Sequence, residues 1–412
     1  MTKNLNILAV IFIMAVFFQM TIIKNIWGIE WISRIFNTVL LIVFSLYALW
    51  SLVGSYNYKV FNYYLIPGLM VYTGIFLNIS INSIVNPNII NQFGLLISWA
   101  AYLAIPYLVK YQNLNIMLLW RYFHYFMLIT VSVSIIEYYK LFNNFIIPKQ
   151  IMTSGGTFMA GNFSILHVLE TGELYYRFYA SFYEPGTLAM LLLPVISYAF
   201  LYRKYFSLTI YLFAMFLTDS LGGFIAVAML VPILAYLKFR KQTLLSAASA
   251  ILIVILMTVL FADYFLKQYD SKGRSATVRV ENVTYFLTNL PEVFVNYPLG
   301  LPLAETTEQA RKNPYYFGSN FTPGNAFNLG GIISFLGYCF IIIVSLWFSL
   351  RSISSKNLSI EEQAAASSLI PLFSFLFQRT SIWDGIIFVF LYAPFIVGLL
   401  QNATRKLGGG CR

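Results

Sequence analysis

The sequence predicts an all-α polytopic membrane protein of about twelve transmembrane helices, and three observations lead there. Hydrophobic residues make up 59% of the 412 and charged residues only 10%, where a soluble chain carries about 25% charged. Apolar runs of about 18–22 residues, enough to cross a bilayer as helices, recur along the chain. The basic residues behind the net charge of +11 fall in short gaps between alternate runs or at the C-terminus, which is the positive-inside pattern.

In order, the apolar runs lie at 5–23, 35–53, 60–80, 93–109, 115–138, 187–202, 206–218, 224–237, 244–261, 332–350, 364–378 and 383–400. The first follows a lone Lys3 without a small-residue cleavage site, so it reads as a retained span rather than a signal peptide. The seventh and eighth runs are short and separated only by residues 219–223, as in a tight helical hairpin or a pair of tilted, broken helices. Lys59, Lys110, Arg203, Lys204, Lys238, Arg240, Lys241, Arg351, Lys356, Arg405 and Lys406 occupy the connections that become internal when both termini are cytoplasmic. Acidic residues then fall almost entirely outside, with Glu361 and Glu362 the exceptions. The positive charge is a topology signal, and no basic stripe interleaved with stacking aromatics is left for nucleic acid.

The chain thus reads as a single integral membrane domain, 1–412, with two external segments too long to be connectors, 140–185 and 262–331. Structureless loops beyond about 15 residues are usually functional or disordered. Ile147 to Glu173 carries Gly155, Gly156 and Gly161 among apolar residues, which suits a re-entrant or interfacial segment. Asn282 to Val295 has the mixed apolar spacing of an amphipathic helix on the membrane surface. Pro298, Gly300 and Pro302 then punctuate a turn back toward lipid.

Candidate chemistry gathers in these external segments. Arg177 stands amid Tyr175, Tyr176, Phe178 and Tyr179, and Arg274, Arg279, Arg311 and Arg379 are also external. Guanidinium forks match phosphate oxygens bidentately, and aromatic faces suit the apolar faces of sugar rings. Snorkelling to headgroups is the bland alternative for each arginine. Glu184 precedes Pro185, a residue able to open the following helix; it is either a general base or a carboxylate held by the helix dipole. His167 is the other external group able to titrate near neutrality, Asp219 is either a turn residue or part of the same pocket, and Arg121 and His124 read as a packed polar pair. Cys339 and Cys411 lack metal-ligand spacing and imply no disulfide framework. No P-loop, GxSxG or HExxH motif is present, which removes ATP, serine-hydrolase and zinc chemistry as first choices. Only Glu30 is acidic in the first external loop, so no divalent-metal glycosyltransferase site is supported.

Four segments resemble the Wzy-type O-antigen and capsule polymerases, a superfamily shared with the O-antigen ligases. They are YRFYASFYEPGTLAMLLLP from Tyr176, LTDSLGGFIAVAML from Leu217, GRSATVRVENVTYF with NYPLGLPL between Gly273 and Leu303, and TPGNAFNLGGIISFLG from Thr322. The likeness covers roughly Tyr175 to Gly337 plus the order of spans and loops. Two departures separate the chain from the ligases: Leu221 stands where those have arginine, and Gly324 rather than histidine precedes Asn325.

The resemblance implies a GT-C-like helical architecture in the bacterial inner membrane, with the active site on the periplasmic face. It implies a lipid-linked oligosaccharide polymerase acting on undecaprenyl-pyrophosphate-linked glycans in O-antigen, lipopolysaccharide or capsule biosynthesis. Membrane lipid and a chain-length regulator are the expected partners, and no cofactor or metal is expected. Glu184 takes the role of base. Arg177 and Arg279 hold pyrophosphate, Tyr183 and Tyr179 stack on sugar, and Arg274, Arg379 and Asn325 support them. The alternatives are an O-antigen ligase and a lipid-linked oligosaccharide flippase or transporter; the last would require charges in mid-span and pseudo-symmetric halves, which the sequence does not display.

Overall fold

A computed structural model of the chain describes residues 21–33, 65–82, 115–153, 156–170, 173–239, 280–281, 283–301, 322–355, 358–377 and 391–396, with single residues and pairs in 6–15 and 35–46 and at 96 and 277. The predicted spans at 5–23, 35–53, 93–109, 244–261 and 383–400 lie mostly or wholly outside these residues, as do Arg274, Arg279, Arg311 and Arg379. Within them the protein is mainly helical. Three helices are long and apolar enough to cross a membrane, at Ile116–Phe142, Leu221–Phe239 and Pro323–Ser354, and shorter apolar helices occupy Ile66–Ile81, Pro185–Leu201 and Tyr205–Leu217.

Helix α1 spans Leu65–Asn82 and α2 spans Ile116–Phe142. Asn115 caps α2, its side-chain oxygen accepting the Leu118 N–H at 3.1 Å, so one of the orphan donors of the first turn is satisfied. Asn144 ends α2 in a left-handed conformation, φ 58°, and Phe145 N–H closes back on the Lys140 carbonyl at 2.8 Å.

The chain then forms strands β1 (Lys149–Thr153), β2 (Gly156–Ala160), β3 (Ile165–Glu170) and β4 (Glu173–Tyr176), an antiparallel meander in the order β1-β2-β3-β4. The segment 147–173, expected to be re-entrant or interfacial, takes the form of this meander. Its residues alternate: Phe158 and Ala160 are buried while Thr157 and Met159 are only partly so, which is strand periodicity. The glycines serve turns and close approach. Gly156 pairs with Thr153 at the β1–β2 reversal, and a side chain at Gly161 would meet the Glu137 carboxyl carbon at 2.6 Å.

Helix α3 (Pro185–Leu201) opens with Pro185 in its first turn and is buried on nearly all sides. It packs against α4 (Tyr205–Leu217), α5 (Leu221–Phe239) and α8 (Ile360–Leu372). The run Ala364, Ala365, Ala366, Ser367 and Ser368 on α8 is fully enclosed, because small side chains let helix backbones approach closely. The short predicted pair at 206–218 and 224–237 is realised as the α4–α5 hairpin, turned at Asp219 with φ 47°. Ser359 caps α8 by accepting the Glu362 N–H at 3.1 Å, and burial raises the Glu362 carboxyl above its ordinary value.

Helix α6 occupies 283–296, within the stretch expected to be an amphipathic helix. Its apolar face is spent on protein: Phe286 and Val293 are buried with Leu301 and Phe327. Helix α7 runs Thr322–Ser354 and is broken at Gly330 and Gly331. Gly331 has φ 63°, and a Cβ there would lie 2.1 Å from the Pro298 carbonyl oxygen. The turn at Pro298–Leu301 plugs this break: Ile332 N–H donates to Pro298 and Leu301 N–H to Asn328, both at 3.0 Å. From α1, the Asn78 amide donates to the carbonyls of Leu329 at 2.8 Å and Leu301 at 3.3 Å. Carbonyls freed by a helix break inside a membrane need such donors.

Candidate functional site

The arm from Arg177 to Glu184 links β4 to α3 and carries most of the predicted site. Phe178 N–H donates to the Leu217 carbonyl at 3.2 Å, Ile165 N–H to Ala180 at 3.0 Å, and Ile22 N–H to Ser181 at 2.7 Å. The arm is thus stitched to α4, to the sheet and to the segment 21–33. Ala180 holds a left-handed conformation, φ 47°, a local cost of order 1 kcal/mol that a firmly held surrounding can sustain.

Beneath the arm, α2 grips the sheet through Glu137. This buried carboxylate accepts the backbone N–H groups of Asn162 (2.7 Å), Phe163 (2.7 Å) and Ser164 (2.6 Å) and the Ser164 hydroxyl (2.8 Å). Successive N–H groups converging on one anion form a nest. Ser134 and Ser181 share a hydrogen bond at 3.2 Å, and Ser181 Oγ donates to the Phe163 carbonyl, which joins arm, turn and helix.

Arg177 and Asp219 are brought together. The guanidinium donates to the Asp219 carbonyl at 2.9 Å, and Nε stands 3.7 Å from Oδ2 of the same residue. Asp219 is therefore both a turn residue and a neighbour of the arm. A partly exposed pair of this kind contributes no more than about 1 kcal/mol, so a multiply charged phosphate can draw the guanidinium away at small cost.

Glu184 is exposed at the N-terminus of α3. Its carbonyl accepts Thr187 N–H at 3.1 Å and Leu188 N–H at 3.3 Å, while its side chain makes no capping hydrogen bond. The carboxylate stands at the positive end of a largely buried helix without acting as its cap.

Tyr183 is half-buried. Its hydroxyl donates to Asn25, Lys24 Nζ lies 5.7 Å from its ring centre, and its ring meets Phe158 edge-on at 5.9 Å. Asn25 in turn donates to Glu30 at 2.9 Å. The stacking role expected of Tyr179 is corrected: at 6% exposure it packs among Ile22, Phe158, Ala160 and Ile165, so its ring faces protein. The backbone of His167 lies in β3 opposite Tyr176. Asn325 lies in the first, partly buried half of α7, and Arg274, Arg279 and Arg379 lie outside the described residues. Among the described residues no three His, Cys, Asp or Glu side chains converge as metal ligands do.

Three residues in contact with the arm or its supporting turn were not singled out from the sequence. Lys24 and Asn25 signal themselves as the polar break between the apolar runs 5–23 and 35–53. Glu137 signals itself as a lone carboxylate at the end of a span, where a charge is costly unless used.

The opposite end of α3 carries a second polar group. Tyr202 donates to Glu361, and Lys204 Nζ lies 5.0 Å, 5.1 Å and 5.9 Å from the rings of Tyr125, Tyr198 and Tyr202. Burial, then the charge of Arg121, holds the Lys204 ammonium below the ordinary lysine value. The expected Arg121–His124 pair is not formed: Arg121 is exposed, whereas His124 is buried with the Tyr211 hydroxyl 3.1 Å from Nδ1.

No family model, no curated protein and no solved structure matches this chain.

Proposed function

We propose that the protein is a metal-independent, inverting membrane glycosyltransferase that joins lipid-linked oligosaccharide repeat units into O-antigen or capsular polysaccharide. About twelve spans in a GT-C-like arrangement set it in the bacterial inner membrane with both termini cytoplasmic and the arm outside. The observation that carries the reading is the arm itself: one stitched segment presents Arg177, on a partly exposed ion pair with Asp219, and Glu184, exposed at the N-terminus of α3. The broken helix α7 beside the returning turn Pro298–Leu301 adds support, since non-helical backbone at membrane depth is tolerated where it lines protein or a cavity.

In the reaction, the acceptor sugar's hydroxyl oxygen forms a bond to the anomeric carbon of the donor, opposite the leaving group, and the bond from that carbon to the pyrophosphate oxygen breaks. Glu184 receives the hydroxyl proton. Arg177, with Arg279 as its partner, balances the charge left on undecaprenyl pyrophosphate. Pyrophosphate leaves readily once that charge is held, and a positioned base contributes about 10²–10⁴-fold. Tyr183, held by Asn25 and flanked by Lys24, orients the sugar.

Glu184→Gln tests this in polymer-forming membranes, with insertion measured separately. Polymer formation is expected to fall by about 10²-fold or more while single lipid-linked repeat units accumulate. Full activity in the variant removes Glu184 as the base.

A further inference from the structure

An apolar face links α2 to the outer sheet. Tyr125, Ile129, Val133 and Ile136 lie exposed along α2 at steps of three or four residues, so that they share one face of the helix, and Tyr139 and Phe142 carry the exposure on to its last turn. This face belongs to a helix long enough to cross a membrane and is the part of it that lipid covers. Beyond α2 the exposure continues: Phe145 is 74% exposed, Ile147 87% and Met152 77%. Side chains of this kind gathered in contiguous patches mark an interaction surface.

The backbone directs them. The left-handed Asn144 and the Phe145-to-Lys140 hydrogen bond turn the chain sharply at the end of α2, so Phe145 and Ile147 stay level with the last turn of the helix. At 27 residues and about 1.5 Å per residue, α2 is about 40 Å long, against a hydrocarbon core of about 30 Å. Its last turn therefore lies among the headgroups. Met152 points outward from β1, whose neighbour Ile151 packs inward against the sheet's core. β1 is an edge strand, and its outer backbone groups need water or headgroup partners, which the interface supplies and hydrocarbon does not. Lys140 and Lys149, both exposed, flank the patch where anionic phosphates lie.

We infer that the β1 edge of the sheet is seated in the adjacent leaflet of the bilayer, with Phe145, Ile147 and Met152 as its anchors among the acyl-chain ends. The surface is continuous with the lipid-covered face of α2, and its occupant is lipid. The sheet then lies along the membrane plane instead of standing free in water, which holds the arm from Arg177 to Glu184 at the level of lipid headgroups. The inference is independent of the chemistry proposed for the arm.

The test places nitroxide labels on the full chain in nanodiscs of phosphatidylethanolamine and phosphatidylglycerol. Phe145→Cys, Ile147→Cys and Met152→Cys are each made with Cys339→Ser and Cys411→Ser. Collision with oxygen, which enters lipid, is compared with collision with a water-confined nickel chelate. A label at Ile129→Cys and a free nitroxide in buffer give the ends of the scale. The oxygen-to-nickel ratio at the three positions is expected to exceed the buffer value several-fold and approach that at Ile129. A ratio equal to that in buffer overturns the proposal. Protection from both reagents also overturns it and assigns the face to a protein partner. Phe145 and Ile147 lie outside the strands, so their labels decide the matter even where Met152→Cys disturbs β1.

Discussion

Among the described residues outside the proposed chemistry, Glu137 holds together an unusual number of groups. Four donors converge on its carboxylate, and hydrogen bonds to a charged group contribute about 1.5–3 kcal/mol each. Glu137→Ala strands three backbone N–H groups, the buried one of Ser164 among them, and is expected to lower stability by about 3 kcal/mol or more. Gly161→Ala reaches the same contact from the other side, because the added Cβ falls 2.6 Å from the carboxyl carbon. The two substitutions therefore disrupt one interaction, and the double variant is expected to be no less stable than the worse single variant by more than about 0.5 kcal/mol. Thermal unfolding of the detergent-solubilised protein measures the cycle, with limited proteolysis of 149–176 reporting the sheet. Full additivity would mean that the carboxylate and the turn are not energetically joined.

The elements differ in how far the chain announces them. Helices α2 to α5 were legible, because long apolar runs and punctuation at Asn115, Pro185 and Asp219 are local signals. The Pro298–Gly300 turn was also legible as a break, whereas the glycine pair in α7 read only as the end of the second long segment. Their mutual fit was not legible, since Asn78, which donates both to the helix end before the break and to the turn, is 251 residues from Leu329. The meander escaped because its strands are only four to six residues long, and their alternation is blurred by a composition that is apolar throughout. Similarly, the burial of Tyr179 follows from the sheet above it and has no local signature. The α1–α7 fit is testable through Asn78→Ala, which leaves buried carbonyls of Leu301 and Leu329 without this donor. An expected loss of about 1–3 kcal/mol contrasts with a change under about 0.5 kcal/mol for Ser80→Ala. Ser80 lies on the same helix, is exposed and donates to the Phe76 carbonyl one turn back. Chemical denaturation of both variants separates them, and equal effects would deny Asn78 its role at the break.

Across the whole molecule, charge sorts by the ends of α3. At its start lie Glu184, the Arg177–Asp219 pair and the sheet. At its finish lie Arg203 and Lys204, with Lys238 Nζ 5.4 Å from the Phe200 ring and Glu361 bonded to Tyr202. The helix has 17 residues, about 26 Å at 1.5 Å each, close to the thickness of a hydrocarbon core. On the proposed topology Glu184 and Arg203 would meet opposite faces of the bilayer, with the basic Arg203 end turned inward. In a Cys339→Ser, Cys411→Ser background, Glu184→Cys is expected to react with a membrane-impermeant maleimide on intact spheroplasts. Arg203→Cys is expected to react only after permeabilisation. The reverse pattern would invert the topology and remove the arm from the compartment where lipid-linked glycans are joined. Labelling of both sites in intact cells would mean that α3 does not cross, and the placement of a base at its outer end would fall with it.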